Sequence, residues 1–281
     1  MILIADSGST KCDWKLISSS GKTESLCTSG INPFFRSADS IHEELLVALL
    51  PGLKEKVDQI HFYGSGIIND EKANVIRLAL GKLFPTAGIE LFSDIVAASR
   101  SLFGTNQGIA CILGTGSNAC LYDGQKVVEG ISPLGFILGD EGSGAVLGRR
   151  LLGDFFKEVM PEPLRKKFEQ KYQPIRAEVL QRVYKAERPN QYLASFVPFL
   201  SEELSTDYAK ELVKGSLNDF FQRNVIKISD YKSYSIGFVG SVAYHFRELV
   251  AETCDNYHLN CQAILQNPLE ELVKYHLNNP I

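Results

Sequence analysis

Apolar and polar positions in this chain group into short runs whose spacing changes from strand-like to helical and back. Ile2 to Asp6 is an apolar run that ends on a carboxylate, and Cys12 to Ser18 alternates weakly. Ser19-Ser20-Gly21-Lys22 has turn composition, and Thr23 to Cys27 reads as a third short strand. Three strands this close together predict an antiparallel meander. From Ser37 to Leu50 the apolar residues Ile41, Leu45, Leu46, Leu49 and Leu50 fall at helical spacing. Next come a strand over Gln59 to Tyr63, a helix over Asp70 to Phe84, a strand over Gly88 to Ser93 and a helix over Ile95 to Phe103.

The second half starts the same way. Ile109 to Leu113 is an apolar run entering the glycine turn Gly114-Thr115-Gly116-Ser117. Strands are predicted over Ala119 to Tyr122 and Val127 to Ile131, with Asp123-Gly124 as a hairpin signal. Helical spacing starts near Gly144 and dominates to about Lys227. Ser235 to Val239 reads as a strand, Val242 to Cys254 as one helix, Ala263 to Leu265 as a last strand and Leu269 to Leu277 as a terminal helix. Self-similarity at this scale predicts two related α/β lobes built on duplicated βββαβα units. The expected boundaries are 1–106 for the first lobe and 107–268 for the second, with a helical insertion at about 144–227. The terminal helix, 269–281, is expected to pack back on the first lobe, since a short amphipathic helix is marginal alone in water. Ligands of such folds bind at strand ends, here between the lobes.

Composition changes this picture little. The 281 residues are 44% apolar and 22% charged, with a net charge of −4. That balance suits two globular cores, and without a Lys/Arg-rich run it argues against a nucleic-acid partner. No apolar stretch approaches the ~20 residues of a membrane helix. The opening MILIADSGSTK lacks a basic region and a cleavable apolar segment, so a cytoplasmic protein is expected. The six cysteines, Cys12, Cys27, Cys111, Cys120, Cys254 and Cys261, form no C-x-x-C and read as reduced, mostly buried thiols. His42, His61, His245, His258 and His276 have no ligand spacing and read as surface or satisfied residues.

The candidate chemistry lies in the turns. In Asp6-Ser7-Gly8-Ser9-Thr10-Lys11, small residues let the backbone turn tightly and bring N–H and hydroxyl groups to an anion, with Asp6 placed to hold a metal through water. Gly114-Thr115-Gly116-Ser117-Asn118 repeats the design in the second lobe. Each turn alone is equally a decorated hairpin; two in equivalent places suit a polyphosphate. Asp94 closes a strand before a helix, and serves either as a helix cap or as a general base. Gly139-Asp140-Glu141-Gly142-Ser143-Gly144 puts an acidic pair between glycines ahead of a helix, where it also complements the helix dipole. Gly237-Phe238-Val239-Gly240-Ser241 runs from strand to helix and suits a nucleotide close to the backbone. No P-loop, dinucleotide fingerprint, zincin helix or nucleophile elbow is present.

Taken together, the two turns, the segment Leu138 to Gly144 and the segment Gly237 to Ser241 resemble the two phosphate loops, the signature and the adenosine loop of the BadF/BadG/BcrA/BcrD-type ATPase family. That family belongs to the actin-like, ribonuclease H-like superfamily, and the resemblance spans roughly Met1 to Pro268. Its N-acetylglucosamine and N-acetylmuramic acid kinases are the most similar members. The resemblance implies ATP and Mg²⁺ as cofactors, with Asp6, Gly8, Ser9, Thr10, Lys11, Gly114, Thr115, Gly116, Gly240 and Ser241 at ATP, and Asp6 on Mg²⁺ through water. It implies Asp94 as catalytic base, and Asn32, Asp94, Ser117, Asn118 and Asp140 as contacts of a small-molecule amino sugar phosphorylated at its 6-hydroxyl. One departure bears on the acceptor. Mammalian members carry Gly-Trp-Gly before the aspartate signature, where this chain has Pro133-Leu134-Gly135. Two other readings stay open at this point: an ATPase activating a partner enzyme through a cysteine-held cluster, and a non-enzymatic sugar or ATP sensor. The oligomeric state is open too, a homodimer included.

Overall fold

A computed structural model describes residues 1–8 and 10–279. The chain divides into two compact units. One comprises Met1–Thr105 and the C-terminal segment from Pro268; the other is Asn106–Asn267.

In the first unit, β1 (Ile2–Ser7), β2 (Lys11–Ile17) and β3 (Thr23–Ser29) form the predicted meander. Then come α1 (Ala38–Ala48), β4 (Gln59–Gly64), α2 (Asp70–Leu83), β5 (Gly88–Ser93) and α3 (Asp94–Phe103). The five-stranded sheet has the order β3-β2-β1-β4-β5. β1 pairs antiparallel with β2 and parallel with β4, and β4 pairs parallel with β5. The elements start where the sequence supplies caps: the Ser37 and Asn69 side chains accept from the backbone N–H groups of Ser40 and Lys72, each such cap contributing about 1 kcal/mol. Alternation along β2 buries Cys12, Trp14 and Leu16 on one face. The Trp14 indole N–H donates to Thr28 Oγ1 (3.1 Å), so this fully buried ring leaves no polar group unpaired.

The second unit repeats the arrangement. β6 (Gly108–Leu113), β7 (Ser117–Tyr122) and β8 (Val127–Gly130) form its meander. A one-turn helix, α4 (Gly135–Leu138), leads into the helical stretch α5 (Gly144–Phe156), α6 (Glu162–Tyr172), α7 (Arg176–Lys185), α8 (Pro189–Ala194), α9 (Pro198–Glu202) and α10 (Asp207–Arg223). β9 (Ile236–Val239), α11 (Ser241–His245), α12 (Arg247–Asn256) and β10 (Cys261–Leu265) complete it. The sheet order is β10-β9-β6-β7-β8, with β6 antiparallel to β7 and parallel to β9, as β1 is to β2 and β4. Phe168, Phe199, Phe220, Phe221, Phe238 and Phe246 fill the core between sheet and helices.

Two features differ from the sequence expectation. The helix expected over Val242 to Cys254 is broken at Phe246, whose backbone leaves helical geometry (φ −106°, ψ 26°). Phe246 is 1% exposed, and the break lets Val242 and Ala243 on one segment and Leu249, Val250 and Cys254 on the other all reach the core. The other is α4, a turn of helix that leaves Leu134, Ile137 and Leu138 exposed.

The last helix, α13 (Leu269–Asn278), belongs to the first unit, packing on α3, β1 and β2 through Leu269, Leu272 and Val273. Its His276 stacks on His61 of β4 at 3.7 Å between ring centroids, and the Tyr63 hydroxyl lies 2.8 Å from His276 Nε2. His61 Nδ1 is 2.8 Å from Glu90 Oε2, and Arg100 donates to the Tyr63 hydroxyl at 2.7 Å. These histidines are far apart in sequence, so their spacing gave no sign of the pairing; both are satisfied, whereas the buried His42 Nδ1 has no partner. No helix among the described residues is long and apolar enough to cross a membrane.

Candidate active site

In the first unit the site is built where parallel strands end. β1 ends at Asp6-Ser7, β4 at Gly64 and β5 at Ser93, and the register pairs Ser7 with Gly64 and Gly64 with Ser93. The residues immediately after the ends of β4 and β5, Ser65 and Asp94, therefore sit side by side, with Ser65 between Asp94 and the end of β1 that carries Asp6. This is the carboxyl edge at which open α/β sheets bind ligands.

The electrostatics of that edge are set by burial. The Asp6 carboxyl is pushed up to about 7, first by desolvation, then by the charges of Asp94 and Asp13, with Lys11 opposing. Burial also raises Asp94, held back by the backbone N–H groups of Ile95 and Asp94 itself. Asp94 is the first residue of α3, and Ser93 occupies the cap position without a side-chain cap bond. The carboxylate thus touches the helix start, as a cap would, and also faces another carboxylate, which a cap does not need. Lys11 is exposed and pairs with Asp13 at 2.6 Å, which raises its pKa.

Ser7, buried to 1%, organises the loop beside this edge: its Oγ accepts the Ile31 N–H (2.8 Å) and donates to the Ile31 carbonyl (3.1 Å). That fixes Asn32, 7% exposed, whose Oδ1 accepts the Phe34 N–H at 2.9 Å. Gly66, at φ +86°, lies against it; a Cβ there would come 2.6 Å from Asn32 Oδ1. Asp6, Asn32 and Asp94 all lie in this unit. Gly8 and Thr10 lie in the turn, where the Gly8 N–H donates to the Lys11 carbonyl (3.0 Å). Ser9 lies outside the described residues.

In the second unit close backbone approaches dominate. The Gly114 N–H donates to the Gly116 carbonyl (3.0 Å), closing the turn between β6 and β7. The N–H groups of Gly144 and Ala145, at the start of α5, donate to the carbonyls of Gly114 (2.8 Å) and Thr115 (3.1 Å). Gly240, at φ +127°, presses on the same turn: a Cβ there would meet the Leu113 carbonyl oxygen at 2.3 Å. Asp140 also reaches the turn. Its carboxyl accepts the Ser117 N–H, which lowers a pKa that burial raises, and it approaches Gly116 so closely that a Cβ there would lie 3.1 Å from Oδ2. Asp140 adopts φ +53°, a left-handed conformation unusual for a residue with a side chain. Its neighbours hold it there: Glu141 accepts from Arg223 (3.1 Å) and Asn224 (3.5 Å), and the Gly142 N–H donates to the buried Ser216 Oγ (3.2 Å). Glu141 therefore serves α10, while Ser143 caps α5 by accepting the Val146 N–H. Asn118 spends its Oδ1 on the Ala119 N–H (2.9 Å). Ser241 is the exposed first residue of α11.

Gly114, Thr115, Gly116, Ser117, Asn118, Asp140, Gly240 and Ser241 thus share one edge of the second sheet. Sequence reasoning missed the supporting residues Ser216 and Arg223, which carry no motif of their own, and Ser65, and it read Ser7 only as a small residue of the first turn. Among the described residues no group of three or more His, Cys, Asp or Glu side chains is arranged to hold a metal ion. Cys12, Cys111, Cys120 and Cys254 are buried; Cys27 is exposed and Cys261 half-buried.

No family model and no curated protein matches the chain. Among solved structures, a proposed N-acetylglucosamine kinase of Porphyromonas gingivalis is 42% identical over 100% of both chains, with a TM-score of 0.95. A proposed N-acetylglucosamine kinase of Chromobacterium violaceum superposes with a TM-score of 0.75 at 17% identity, covering 98% of each chain. A proposed N-acetylmannosamine kinase of Listeria monocytogenes gives 0.54 at 12% identity, over 100% of this chain and 99% of that one. The last two agree with the fold alone; the first is close enough to define kinship. With two sheets of one topology and the turn chemistry described above, the chain belongs to the N-acetylglucosamine kinase-like family of BadF/BadG-type, actin-like ATPases.

Proposed function

We propose that this protein is an ATP-dependent kinase that phosphorylates the 6-hydroxyl of an N-acetylated amino sugar, with N-acetylglucosamine the favoured acceptor. The observation that carries the reading is the pair of carboxylates Asp6 and Asp94 at the ends of β1 and β5, which flank β4, both raised by burial and Asp6 further by the charge of Asp94. A carboxylate whose pKa is raised is a better proton acceptor, and Asp94 is the general base that takes the proton of the sugar hydroxyl. Phosphoryl transfer otherwise asks for positioning and charge neutralisation. Asp6 fits a role beside a cation, because two neighbouring carboxylates leave it short of positive charge. Mg²⁺, when bound with ATP, supplies that charge to the phosphates, and it needs few protein ligands because it keeps much of its water. Asp6 would hold it through water.

Thr10 and Thr115 bear on the ATP phosphates, Gly8, Ser9, Lys11, Gly114 and Gly116 are assigned to ATP with them, and Gly240 and Ser241 lie at the adenosine. Asn32, Ser117, Asn118 and Asp140 bind the sugar. The fixed amide of Asn32 and the Asp140 carboxyl held by Ser117 support this, because a preoriented polar group discriminates between hydroxyl patterns. N-acetylmuramic acid is the second candidate acceptor: Pro133-Leu134-Gly135 brings no indole to this segment, and exposed Leu134, Ile137 and Leu138 surround it. The test is kcat/KM for N-acetylglucosamine and N-acetylmuramic acid side by side, with glucose as control. Equal values for glucose would remove the amino-sugar assignment, and no ATP consumption with any sugar would remove the kinase.

A further inference from the structure

We infer that Ser65 is a further acceptor-binding residue, its hydroxyl paired with a hydroxyl of the sugar beside Asp94. This rests on the kinase reading and adds a residue that no motif indicates.

Three observations meet at Ser65. The first is its place. β4 ends at Gly64, which the register pairs with Ser7 of β1 on one side and Ser93 of β5 on the other. Ser65 therefore emerges between the strand ends that present Asp6 and Asp94. Its N–H donates to the Ser7 carbonyl at 2.9 Å, which holds the backbone of the turn in line with β1. The second is its successor in the chain. Gly66, at φ +86°, turns the backbone so tightly against Asn32 that even a methyl group would collide with the Asn32 amide. Ser65 is thus flanked by Asp94 on its strand-pairing side and, through Gly66, by the loop of Asn32.

The third observation is chemical. The Ser65 Oγ is shielded from solvent and has no hydrogen-bond partner in the protein. Buried polar atoms are nearly always paired, and a hydroxyl left without a partner asks for an explanation. Ser7, one strand away, shows the contrast: its buried hydroxyl makes two hydrogen bonds to Ile31. Ser65 as a residue is half-buried rather than fully enclosed, so rotation about χ1 can re-aim the hydroxyl without moving the backbone. A serine hydroxyl both donates and accepts, as a sugar hydroxyl does. The internal repeat supports the same assignment. Leu113 of β6 and Gly240 after β9 stand where Ser7 and Gly64 stand in the first sheet, since β6 and β9 pair Ile112 with Val239. Ser65 is then the counterpart of Ser241, the residue expected at the nucleotide.

The experiment compares wild type with Ser65→Ala, measuring KM for N-acetylglucosamine and for ATP, kcat, and melting temperature with and without sugar. The expected result is a sugar KM about tenfold higher, the effect of one lost hydrogen bond, with the KM for ATP unchanged. The ligand-free melting temperature should equal or exceed that of wild type, because the hydroxyl removed had no partner to lose, and the sugar-induced rise should shrink. An unchanged sugar KM and an unchanged sugar-induced rise in an active enzyme would overturn the Ser65 assignment alone. A variant that melts well below wild type or fails to fold would overturn it too, since the hydroxyl would then be structural. Wild type that phosphorylates no hexosamine would overturn the kinase reading, and the Ser65 assignment with it.

Discussion

The two sheets share strand order and direction, yet they use the same positions differently. In the first, the strand ends carry charge: Asp6 after β1's apolar run, Asp94 after β5, and Asp13 opposite Asp6 in the register. In the second, the equivalent positions carry no carboxylate. Ile112 stands where Asp6 would, Gly240 comes after β9 and Asn267 stands where Asp94 would, while Asp140 arrives from outside the repeat. What the second sheet offers is proximity of backbone to backbone, at Gly114, Gly144 and Gly240. On the proposed function, a duplicated scaffold has separated two tasks. One copy keeps buried carboxylates, at a cost in desolvation, as the proposed proton and cation chemistry requires; the other keeps tight, glycine-lined turns, which suit the proposed nucleotide contacts.

The sharpest way to break this contrast is Asp94→Asn. If the first sheet carries the chemistry, turnover should fall about 10²–10⁴-fold with ATP binding nearly intact, read from kcat and from nucleotide binding by calorimetry. Normal turnover would leave Asp94 as a helix start and nothing more. The corresponding test of the second sheet is Gly240→Ala. The added methyl would overlap the Leu113 carbonyl, so the Gly114 turn must move. A loss of about 1–3 kcal/mol of stability is expected for such overpacking, with a raised KM for ATP and a smaller change in kcat. Equal effects of the two substitutions on kcat and on the KM for ATP would erase the division of labour.

Much of this was legible because it is local. Apolar runs ending in small polar residues marked both turns, and the repeat of three strands marked the duplication. The fixed positions of Asp6, Asp94 and Gly240 come from strand ends, which periodicity locates well. What was not legible depends on distant segments meeting. Asp140 reaches Gly116 only because α10 grips Glu141 and Gly142 through Arg223, Asn224 and Ser216, and none of those residues has a sequence signal. Ser65 looks like any turn serine until the register sets it beside Asp94. The broken helix at Phe246 was hidden for a related reason: core packing overrode an unbroken helical pattern.

Charge at the first sheet's edge makes a smaller, pH-dependent prediction. Asp6 is raised from its usual value to about 7, so the folded state holds a proton that the unfolded chain has released. Its contribution is fully present below about pH 4 and is lost as pH rises towards 7. Asp6→Asn should therefore melt increasingly above wild type as pH increases through this window, with Mg²⁺ and ATP narrowing the gap by neutralising Asp6 in the wild type. A difference that does not vary with pH would mean Asp6 is not held protonated.

The smallest effect is expected from α13, the element that comes after the second sheet in sequence but packs in the first unit. His276 is depressed to about 3, first by burial and then by the charges of His61 and Arg100, and His61 is lowered by burial despite its bond to Glu90. The other groups facing this stack, the Tyr63 hydroxyl and the Tyr275 ring, carry no charge that would favour a protonated His276. Here the unfolded chain binds the proton first. The contribution of the stacked histidines is present above about pH 6.5 and is lost as pH falls towards 3, opposite in sign to Asp6. His276→Gln keeps a hydrogen-bonding group near Tyr63 but cannot titrate, so it should lower the melting temperature by a few degrees at pH 8 through lost stacking and by less at pH 5. Amide exchange in 269–278 should quicken in wild type on acidification and much less in the variant. If exchange there is insensitive to pH in both proteins, the stacked histidines do not govern how firmly α13 is held, and its apolar face of Leu269, Leu272 and Val273 holds the helix by itself.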